Sequence, residues 1–328
     1  MKRALITGIT GQDGSYLAEH LLNWGYEVHG VVRRVALMNP GARMERIASV
    51  CNKLHLHPGS VESYGAMSRL VKRIKPHEIY HLAAQSFVAE SFVDESATLT
   101  INVIGTLNML MAIRDHAPEC KFYFAGSSEM FGKVVETPQS ERTPFHPRSP
   151  YGVSKVAGFD LTRHFREAYG LFACSGMLFN HESPRRGMEF VTRKIACGVA
   201  AIKAGKLDKL RLGNLGARRD WGHSREYVEA MHLMLRAGAP DDFVIATGET
   251  HSIEEFCDAA FSYAGLDWTE YVVSSTDFMR PSDVELLQGD ATKAKEVLGW
   301  EPKITFMELA QEMVQAELDN SKKKTLQV

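Results

Sequence analysis

The stretch TGITGQDGSYL, residues 7–17, follows a short apolar run at the amino terminus and decides the fold. Its glycines, Gly8, Gly11 and Gly14, have the spacing GxxGxxG, which lets a tight turn bring backbone N–H groups close to a phosphate. A glycine triplet alone is weak evidence, but this one joins a predicted strand at 4–7 to a predicted helix at 15–25. The placement predicts a dinucleotide-binding site at the first turn of a Rossmann-like domain, with a purely structural turn as the alternative.

Strand-like apolar runs alternate with helix-length amphipathic segments through the first half of the chain. Further strands are predicted at 27–32, 53–57, 77–83, 121–126 and 172–179. This alternation predicts an α/β fold, a Rossmann-like doubly wound parallel sheet with right-handed crossovers. Basic loops and shorter helices follow residue 180, so we predict a cofactor domain at 1–180 and a smaller mixed α/β C-terminal lobe at 181–328, with interleaved contacts.

The composition argues against several classes of protein. The 328 residues carry a formal net charge of -2, without the charge excess that indicates a nucleic-acid or membrane-surface partner. The amino terminus reads as a strand rather than a signal peptide, and no run approaches the ~18 consecutive apolar residues of a membrane span. The five cysteines are far apart and form no CxxC motif, which favours reduced thiols in a cytoplasmic protein without a metal site.

The end of the second predicted strand indicates which dinucleotide binds. Arg33 and Arg34 stand where a carboxylate would accept a hydrogen bond from a ribose 2′-hydroxyl. Guanidinium groups instead match a 2′-phosphate, so the sequence favours NADP over NAD. The alternative is a pair of surface arginines at a strand end.

The segment YGVSK, residues 151–155, places Tyr151 and Lys155 one helical turn apart on the same face. A free phenol titrates near 10 and is a poor base, but an adjacent ammonium and a cationic nicotinamide ring both favour the phenolate. We therefore predict that Tyr151 takes a hydroxyl proton while hydride leaves the same carbon. An exposed i,i+4 pair is the alternative.

The segment AGSSEMFG, residues 125–132, adds a hydroxyl and a carboxylate after the fifth strand. Ser127 is placed to contact the same substrate oxygen as Tyr151. Glu129 is unusual, because simple alcohol oxidation requires no carboxylate. Oxidising a sugar hydroxyl creates a ketone that acidifies the neighbouring C–H, so Glu129 could remove that proton and drive loss of a β-hydroxyl as water. An exposed acid at a strand end is the alternative.

Longer blocks of sequence resemble one family along nearly the full chain. They include GITGQDGSYLAE, AAQSFV, SSEMFG, TPFHPRSPYGVSK, LFNHESPRRGMEFVTRK and RDWGHSREYVEAM. These blocks are similar to GDP-mannose 4,6-dehydratases, which belong to the extended short-chain dehydrogenase/reductases. The resemblance implies that Tyr151 deprotonates the sugar 4-hydroxyl as C4 gives hydride to NADP⁺, and that Glu129 abstracts the C5 proton as water leaves C6. Hydride then returns to C6, so no cofactor is consumed.

The resemblance also implies roles for individual residues. The catalytic set is Ser127, Glu129, Tyr151 and Lys155. The cofactor contacts come from the glycine loop, the ends of the next strands and the catalytic helix, namely Gly8, Thr10, Gly11, Gln12, Asp13, Gly14, Arg33, Arg34, Ser60, Val61, Leu82, Ala83, Ala84, Ser86, Tyr151, Lys155, His181 and Arg186. The GDP-sugar contacts are Ser86, Ser127, Glu129, Asn180, Lys194, Arg218 and Arg280.

Some positions depart from the family pattern. Ser60 stands where an aspartate usually meets the adenine, and Asp283 stands where glutamate is usual. The loop RRVALMNPGARMERI differs from the Ser/Asn/Thr-rich version that reaches a neighbouring subunit, so homodimer and homotetramer both stay open. Three alternatives to the main activity also stay open: a dehydratase of GDP-D-glycero-D-manno-heptose, a GDP-4-keto-sugar reductase or epimerase, and a non-catalytic NADP sensor.

Overall fold

The computed structural model describes residues 1–38, 41–276, 284 and 286–325. The strands of this part of the chain are β1 (Arg3–Thr7), β2 (Glu27–Val32), β3 (His55–Pro58), β4 (Glu78–His81), β5 (Lys121–Ala125), β6 (Ala173–Leu178), β7 (Asn180–Glu182), β8 (Leu210–Leu212), β9 (Arg218–Arg219), β10 (Trp221–His223), β11 (Asp242–Ile245), β12 (His251–Ser252), β13 (Val272–Ser274) and β14 (Leu286–Leu287). The helices are α1 (Gln12–Asn23), α2 (Arg34–Met38), α3 (Gly41–Met44), α4 (Tyr64–Ile74), α5 (Glu95–Leu99), α6 (Gly105–His116), α7 (Pro150–Tyr169), α8 (Val191–Lys203), α9 (Ser224–Arg236), α10 (Ile253–Tyr263), α11 (Trp268–Tyr271) and α12 (Phe306–Thr325).

Seven parallel strands form the main sheet in the order β11-β6-β5-β4-β1-β2-β3. The chain runs outward from β1 to β3 and then crosses back to β4, so the crevice where the order reverses lies above β1 and β4. Ligands of open α/β sheets bind at such a crevice, outside the carboxyl ends of the strands. The predicted doubly wound parallel sheet is confirmed.

Side-chain alternation along the strands gives the sheet two buried faces. On β5, Phe122 and Phe124 pack toward α4, α6 and α7, whereas Tyr123 packs toward α1 and α9. Because both faces are covered, the strand reads as a continuous apolar run rather than an alternating one. The helices on the two faces of the sheet hold the carboxyl ends of β1, β4 and β5 beside one another.

The second half of the chain builds a lobe with its own core from α8, α10 and α12, centred on Val199, Phe256 and Met313. Two short sheets, β10–β7 and β12–β9–β14, connect this lobe to the crevice, and β8 pairs with β13 within the lobe. The two parts interleave, because β11 lies after residue 180 and yet completes the main sheet. The division at residue 180 stays a prediction.

One long helix, Glu95–His116, runs through α5, a π-helical turn at Thr100–Ile104 and α6. Within the described residues it alone is long and apolar enough, by length and composition, to cross a membrane, and half of its apolar window is buried. Asn102 donates to Ser154 Oγ at 2.9 Å, and Asn108 donates to the Val61 carbonyl at 2.9 Å. These polar contacts with the rest of the protein fit a core helix.

Candidate active site

The glycine loop is shaped by close backbone contacts. Gly8 has a φ of +75°, and a Cβ on this residue would lie 2.9 Å from the Ala83 amide nitrogen. A Cβ on Gly14 would overlap the Gly8 carbonyl, so α1 packs against β1 only because no side chain intervenes. Helix α1 begins after Gly11 without a side-chain cap, which leaves its first amides open to an anion.

The loop lies between two adjoining cavities. The first, the catalytic cleft, is lined by Ser127, Glu129, Tyr151 and Lys155; the second, the adenosine cavity, extends past Arg33 at the end of β2. Gly8, Gly11, Leu82, Ala84 and Ser86 line both. An elongated site with the glycine loop at its middle fits a dinucleotide, with the pyrophosphate at the loop and one nucleoside in each cavity.

Local capping fixes the four predicted catalytic residues in the cleft. Beyond β5, the Ser127 hydroxyl accepts from the Glu129 amide at 3.2 Å and caps the short turn that carries the carboxylate. Ser149 caps α7 by accepting from the Gly152 amide at 3.0 Å, and Pro150 occupies its first turn. This start sets the rotation of α7 and so directs Tyr151 and Lys155 into the cleft.

The electrostatics of Tyr151 differ from the sequence expectation. Burial raises the pKa of Tyr151 to about 12, while the neighbouring Ser127 hydroxyl acts in the opposite direction. The Lys155 ammonium donates to the Ala125 carbonyl at 2.7 Å and lies 5.7 Å from the Tyr151 ring centroid. Burial therefore dominates the pKa of Tyr151 in the protein itself, and the predicted joint effect of the ammonium and the nicotinamide ring stays a prediction. Burial also lowers the pKa of Lys155 to about 8.

Asp13 and His181 form an ion pair between the glycine loop and β7. His181 Nε2 lies 2.8 Å from Asp13 Oδ2, and its Nδ1 lies 2.7 Å from the Phe179 carbonyl. Both partners are acceptors, so the ring donates from both nitrogens and is an imidazolium. Burial opposes these charges, but the pair still raises the pKa of His181 and lowers that of Asp13 to about 2. The pair fixes the start of α1 against the C-terminal lobe.

Most of the remaining predicted residues line one of the two cavities. Those of the catalytic cleft are Gln12, Asp13, Gly14, Asn180, His181 and Arg186. Those of the adenosine cavity are Thr10, Arg33, Ser60, Val61 and Ala83.

Three of the predicted residues line neither cavity, and one lies outside the described part of the chain. Arg34 begins α2, and Lys194 lies on α8, where burial lowers its pKa. Arg218 lines a separate groove, where it pairs with Glu255 at 2.9 Å. Arg280 falls outside the described residues, as does Asp283.

The family of the chain follows from its full-length similarity. The family model described as "GDP-mannose 4,6 dehydratase" matches residues 5–313. The chain belongs to the GDP-mannose 4,6-dehydratase family. GDP-mannose 4,6 dehydratase 2 of Arabidopsis thaliana is 51% identical over 339 residues, which cover 100% of this chain and 90% of the relative. The Homo sapiens GDP-mannose 4,6 dehydratase is 48% identical over 340 residues, covering 96% and 91%.

Solved structures agree with the fold. The UDP-glucose 4-epimerase of Thermus thermophilus, in complex with NAD, superposes with a TM-score of 0.84 at 27% identity. The superposition covers 96% of this chain and 98% of that one. The predicted family and fold are both confirmed.

Arg219 lines the catalytic cleft in this family member, although the sequence analysis chose its neighbour Arg218. The two residues make up β9, where successive side chains point to opposite sides. Arg219 is 8% exposed and faces the cleft, whereas Arg218 faces the groove beside Glu255. The pair RR in GARRDWG indicates that a cation lies at this position. Only the direction of each side chain on β9 shows which of the two arginines faces the cleft.

A carboxylate is present near the position where the family usually has an aspartate for the adenine. The Ser60 hydroxyl donates to Glu62 Oε2 at 2.6 Å, and both residues line the adenosine cavity. The departure at Ser60 is thus accompanied by an acid two residues later, which the sequence analysis did not identify.

Proposed function

We propose that the chain converts GDP-D-mannose to GDP-4-keto-6-deoxy-D-mannose and water, with NADP as a recycled oxidant. The observation that carries this proposal is the carboxylate of Glu129, which lies in one cleft with Ser127, Tyr151 and Lys155 beside the glycine loop. Reduction and epimerisation at C4 need only a hydride and a proton at O4, but elimination also needs a base for a carbon acid. Both relatives described above are named GDP-mannose 4,6 dehydratase, which supports the same substrate.

The proposed chemistry gives each group in the cleft a separate role. Tyr151 takes the proton of the sugar 4-hydroxyl, and Ser127 hydrogen-bonds to the oxygen that becomes a ketone. Bound NADP⁺ supplies a reversible hydride acceptor. Glu129 removes the C5 proton, now acidified by the ketone, and passes it to the departing C6 hydroxyl, which leaves as water. The hydride then returns to C6 while C5 takes up a proton, and the proton that Tyr151 took from O4 balances that uptake.

A product assay tests this function. With GDP-mannose and a catalytic amount of NADP⁺, we expect a base-labile 4-keto product and no lasting absorbance of reduced nicotinamide. Stoichiometric accumulation of NADPH would instead indicate a dehydrogenase. Turnover with GDP-D-glycero-D-manno-heptose but not with GDP-mannose would show that the heptose is the substrate.

NADP rather than NAD is part of the proposal because Arg33 lines the adenosine cavity at the end of β2. An NAD site commonly presents a carboxylate there, to accept from the ribose 2′-hydroxyl. The epimerase that superposes on this chain carries NAD, so the choice rests on Arg33 rather than on the fold. Titration of the enzyme with each dinucleotide tests it, and equal affinity would contradict NADP preference.

Arg219 is proposed to bind the diphosphate of the GDP-sugar, because it is a buried cation in the catalytic cleft. A charge-assisted hydrogen bond contributes about 1.5–3 kcal/mol, so Arg219→Gln should raise KM for GDP-mannose by roughly 10- to 100-fold. Arg218→Gln is the matched comparison and should change KM less, because Arg218 pairs with Glu255. If steady-state kinetics gave a larger rise in KM for Arg218→Gln than for Arg219→Gln, Arg218 would be the residue that binds the diphosphate.

We also propose that residues 1–180 bind the cofactor, that residues 181–328 bind the GDP-sugar, and that the protein is a cytoplasmic homodimer or homotetramer. Exposed Leu99 and Ile104 on the long helix and exposed Val153 on the adjacent α7 provide apolar surface that supports self-association. Light scattering should give two or four times the chain mass, and a monomer would contradict this. Cell fractionation tests the location.

A further inference from the structure

A buried carboxylate lies directly after β9. Asp220 is fully buried, and both of its side-chain oxygens accept hydrogen bonds. Oδ1 accepts from the Thr247 amide at 2.8 Å and from the Thr247 hydroxyl at 2.7 Å. Oδ2 accepts from the Gly248 amide at 2.9 Å and from the Gly289 amide at 3.3 Å. Thr247 and Gly248 follow β11 and Gly289 follows β14, so the carboxylate holds two turns together at the end of β9.

The group at this position has to accept hydrogen bonds and donate none. Burial raises the pKa of Asp220 to about 6, while the hydrogen bonds from Thr247, Gly248 and Gly289 act in the opposite direction. The carboxylate is therefore ionised at neutral pH and can accept all four bonds. An asparagine would place an amide NH₂ against some of these donors and leave buried N–H groups without an acceptor, which is costly.

The two residues that flank Arg219 in the sequence contact the same turn, the one that follows β11. Arg218 donates through one Nη to the Thr250 carbonyl at 2.7 Å, and Asp220 accepts from Thr247. Strand β9 has only two residues, so contacts outside its sheet help to fix its rotation. Because side chains alternate along extended backbone, neighbours that are held on one side direct Arg219 to the other side, which is the catalytic cleft.

The Arg219 guanidinium depends on the backbone of β9 directly. One of its Nη atoms donates to the Arg218 carbonyl at 2.9 Å, so a rotation of the strand would move the charged group as well. The hydrogen bonds of a guanidinium to phosphate oxygens are directional, and a displaced guanidinium loses them. The position of β9 therefore bears on how well Arg219 can bind a diphosphate.

We propose that Asp220 is a positioning residue for substrate binding, because its carboxylate fixes the rotation of β9 and directs Arg219 to the diphosphate of the GDP-sugar. This inference rests on the proposed role of Arg219. A second route from Asp220 leads elsewhere, because Gly289 forms a β-bridge with Gln139 on the segment that precedes α7 and Tyr151. An effect through that bridge would change kcat, whereas an effect through Arg219 changes binding.

Calorimetric titration with GDP tests the diphosphate contact without turnover. Asp220→Asn should weaken GDP binding by about tenfold, raise KM for GDP-mannose by a similar factor, and change kcat by less than about twofold. The affinity for NADP⁺ should stay the same. Asp208→Asn, at an exposed aspartate before β8, is the matched control and should change none of these values.

A comparison of single and double variants shows whether Asp220 acts through Arg219. Asp220→Asn should weaken GDP binding much less in the Arg219→Gln protein, because the group that it positions is already absent. Thr247→Val removes the hydroxyl donor to Asp220 and should weaken GDP binding by about two- to fivefold, again only when Arg219 is present. Thermal melting reports whether Asp220→Asn folds, and Thr247→Val carries the test if it does not.

Three results would overturn the proposal. Equal losses of GDP affinity with and without Arg219 would mean that Asp220 does not act through this arginine. A fall in kcat with unchanged GDP binding would mean that Asp220 acts on the segment before Tyr151. Unchanged GDP binding in both Asp220→Asn and Thr247→Val would mean that β9 needs no support from the carboxylate. A wild type that binds no GDP would instead refute the proposed substrate, and normal GDP binding by Arg219→Gln would refute the proposed role of Arg219.

Discussion

Glu129→Gln is expected to separate oxidation from dehydration. The amide cannot take the C5 proton, while Tyr151 and the cofactor site are unchanged, so C4 oxidation continues and water loss slows. Removal of a positioned general base costs roughly 10²- to 10⁴-fold, and we expect the overall rate to fall by this factor. Glu129 is 9% exposed and lines the catalytic cleft, which places its carboxylate inside the site rather than in bulk solvent.

Rapid-mixing absorbance distinguishes this outcome from general damage. In Glu129→Gln, reduced nicotinamide should accumulate toward one equivalent per site after GDP-mannose is added, whereas the wild type should show little. Glu167→Gln removes an exposed carboxylate on α7 and serves as the control, with rates expected to match the wild type. A normal dehydration rate in Glu129→Gln would show that another group is the base.

The doubly wound parallel character of the main sheet could be predicted from the sequence, because local signals indicate it. A Cβ on Gly8 or Gly14 would clash with backbone atoms, so these two positions require glycine. The GxxGxxG spacing therefore indicates the turn between β1 and α1. The alternation of strands and helices then implies right-handed crossovers and a parallel sheet. The strand β11 was not predicted to belong to this sheet. It lies in the C-terminal half of the chain, and its local sequence does not indicate which sheet a short strand joins.

The parts of the site that the sequence analysis missed depend on side-chain direction along a strand and on contacts between residues far apart in the chain. Arg218 and Arg219 are chemically equal in the sequence, and only the direction of a two-residue strand separates them. Arg46, which lines the adenosine cavity, donates to the carbonyls of Thr10 and Arg185. The sequence analysis named its loop but did not place its guanidinium, because these partners are far away along the chain. The sequence analysis did not foresee that burial raises the pKa of Tyr151, because spacing along a helix does not tell how deeply the phenol is buried.

Tyr151→Phe is expected to block the reaction one step earlier than Glu129→Gln. Without the phenol, no group in the cleft takes the 4-hydroxyl proton as hydride leaves C4, so the rate should fall by roughly 10²- to 10⁴-fold. Unlike Glu129→Gln, this variant should show no transient of reduced nicotinamide. Tyr169→Phe, at an exposed tyrosine on the same helix, is the control and should leave turnover unchanged.

The pH dependence gives an independent test of the same assignment. Burial raises the pKa of Tyr151 to about 12 in the free protein, so the active phenolate becomes more abundant as pH rises, and kcat/KM should rise with it. Because the Ser127 hydroxyl lowers the pKa of Tyr151, Ser127→Ala should move this rising limb to higher pH. The cationic ring of bound NADP⁺ favours the phenolate and sets where the limb lies in the wild type. If Tyr151→Phe still reduced nicotinamide at the wild-type rate, or Ser127→Ala moved the limb to lower pH, Tyr151 would not be the base.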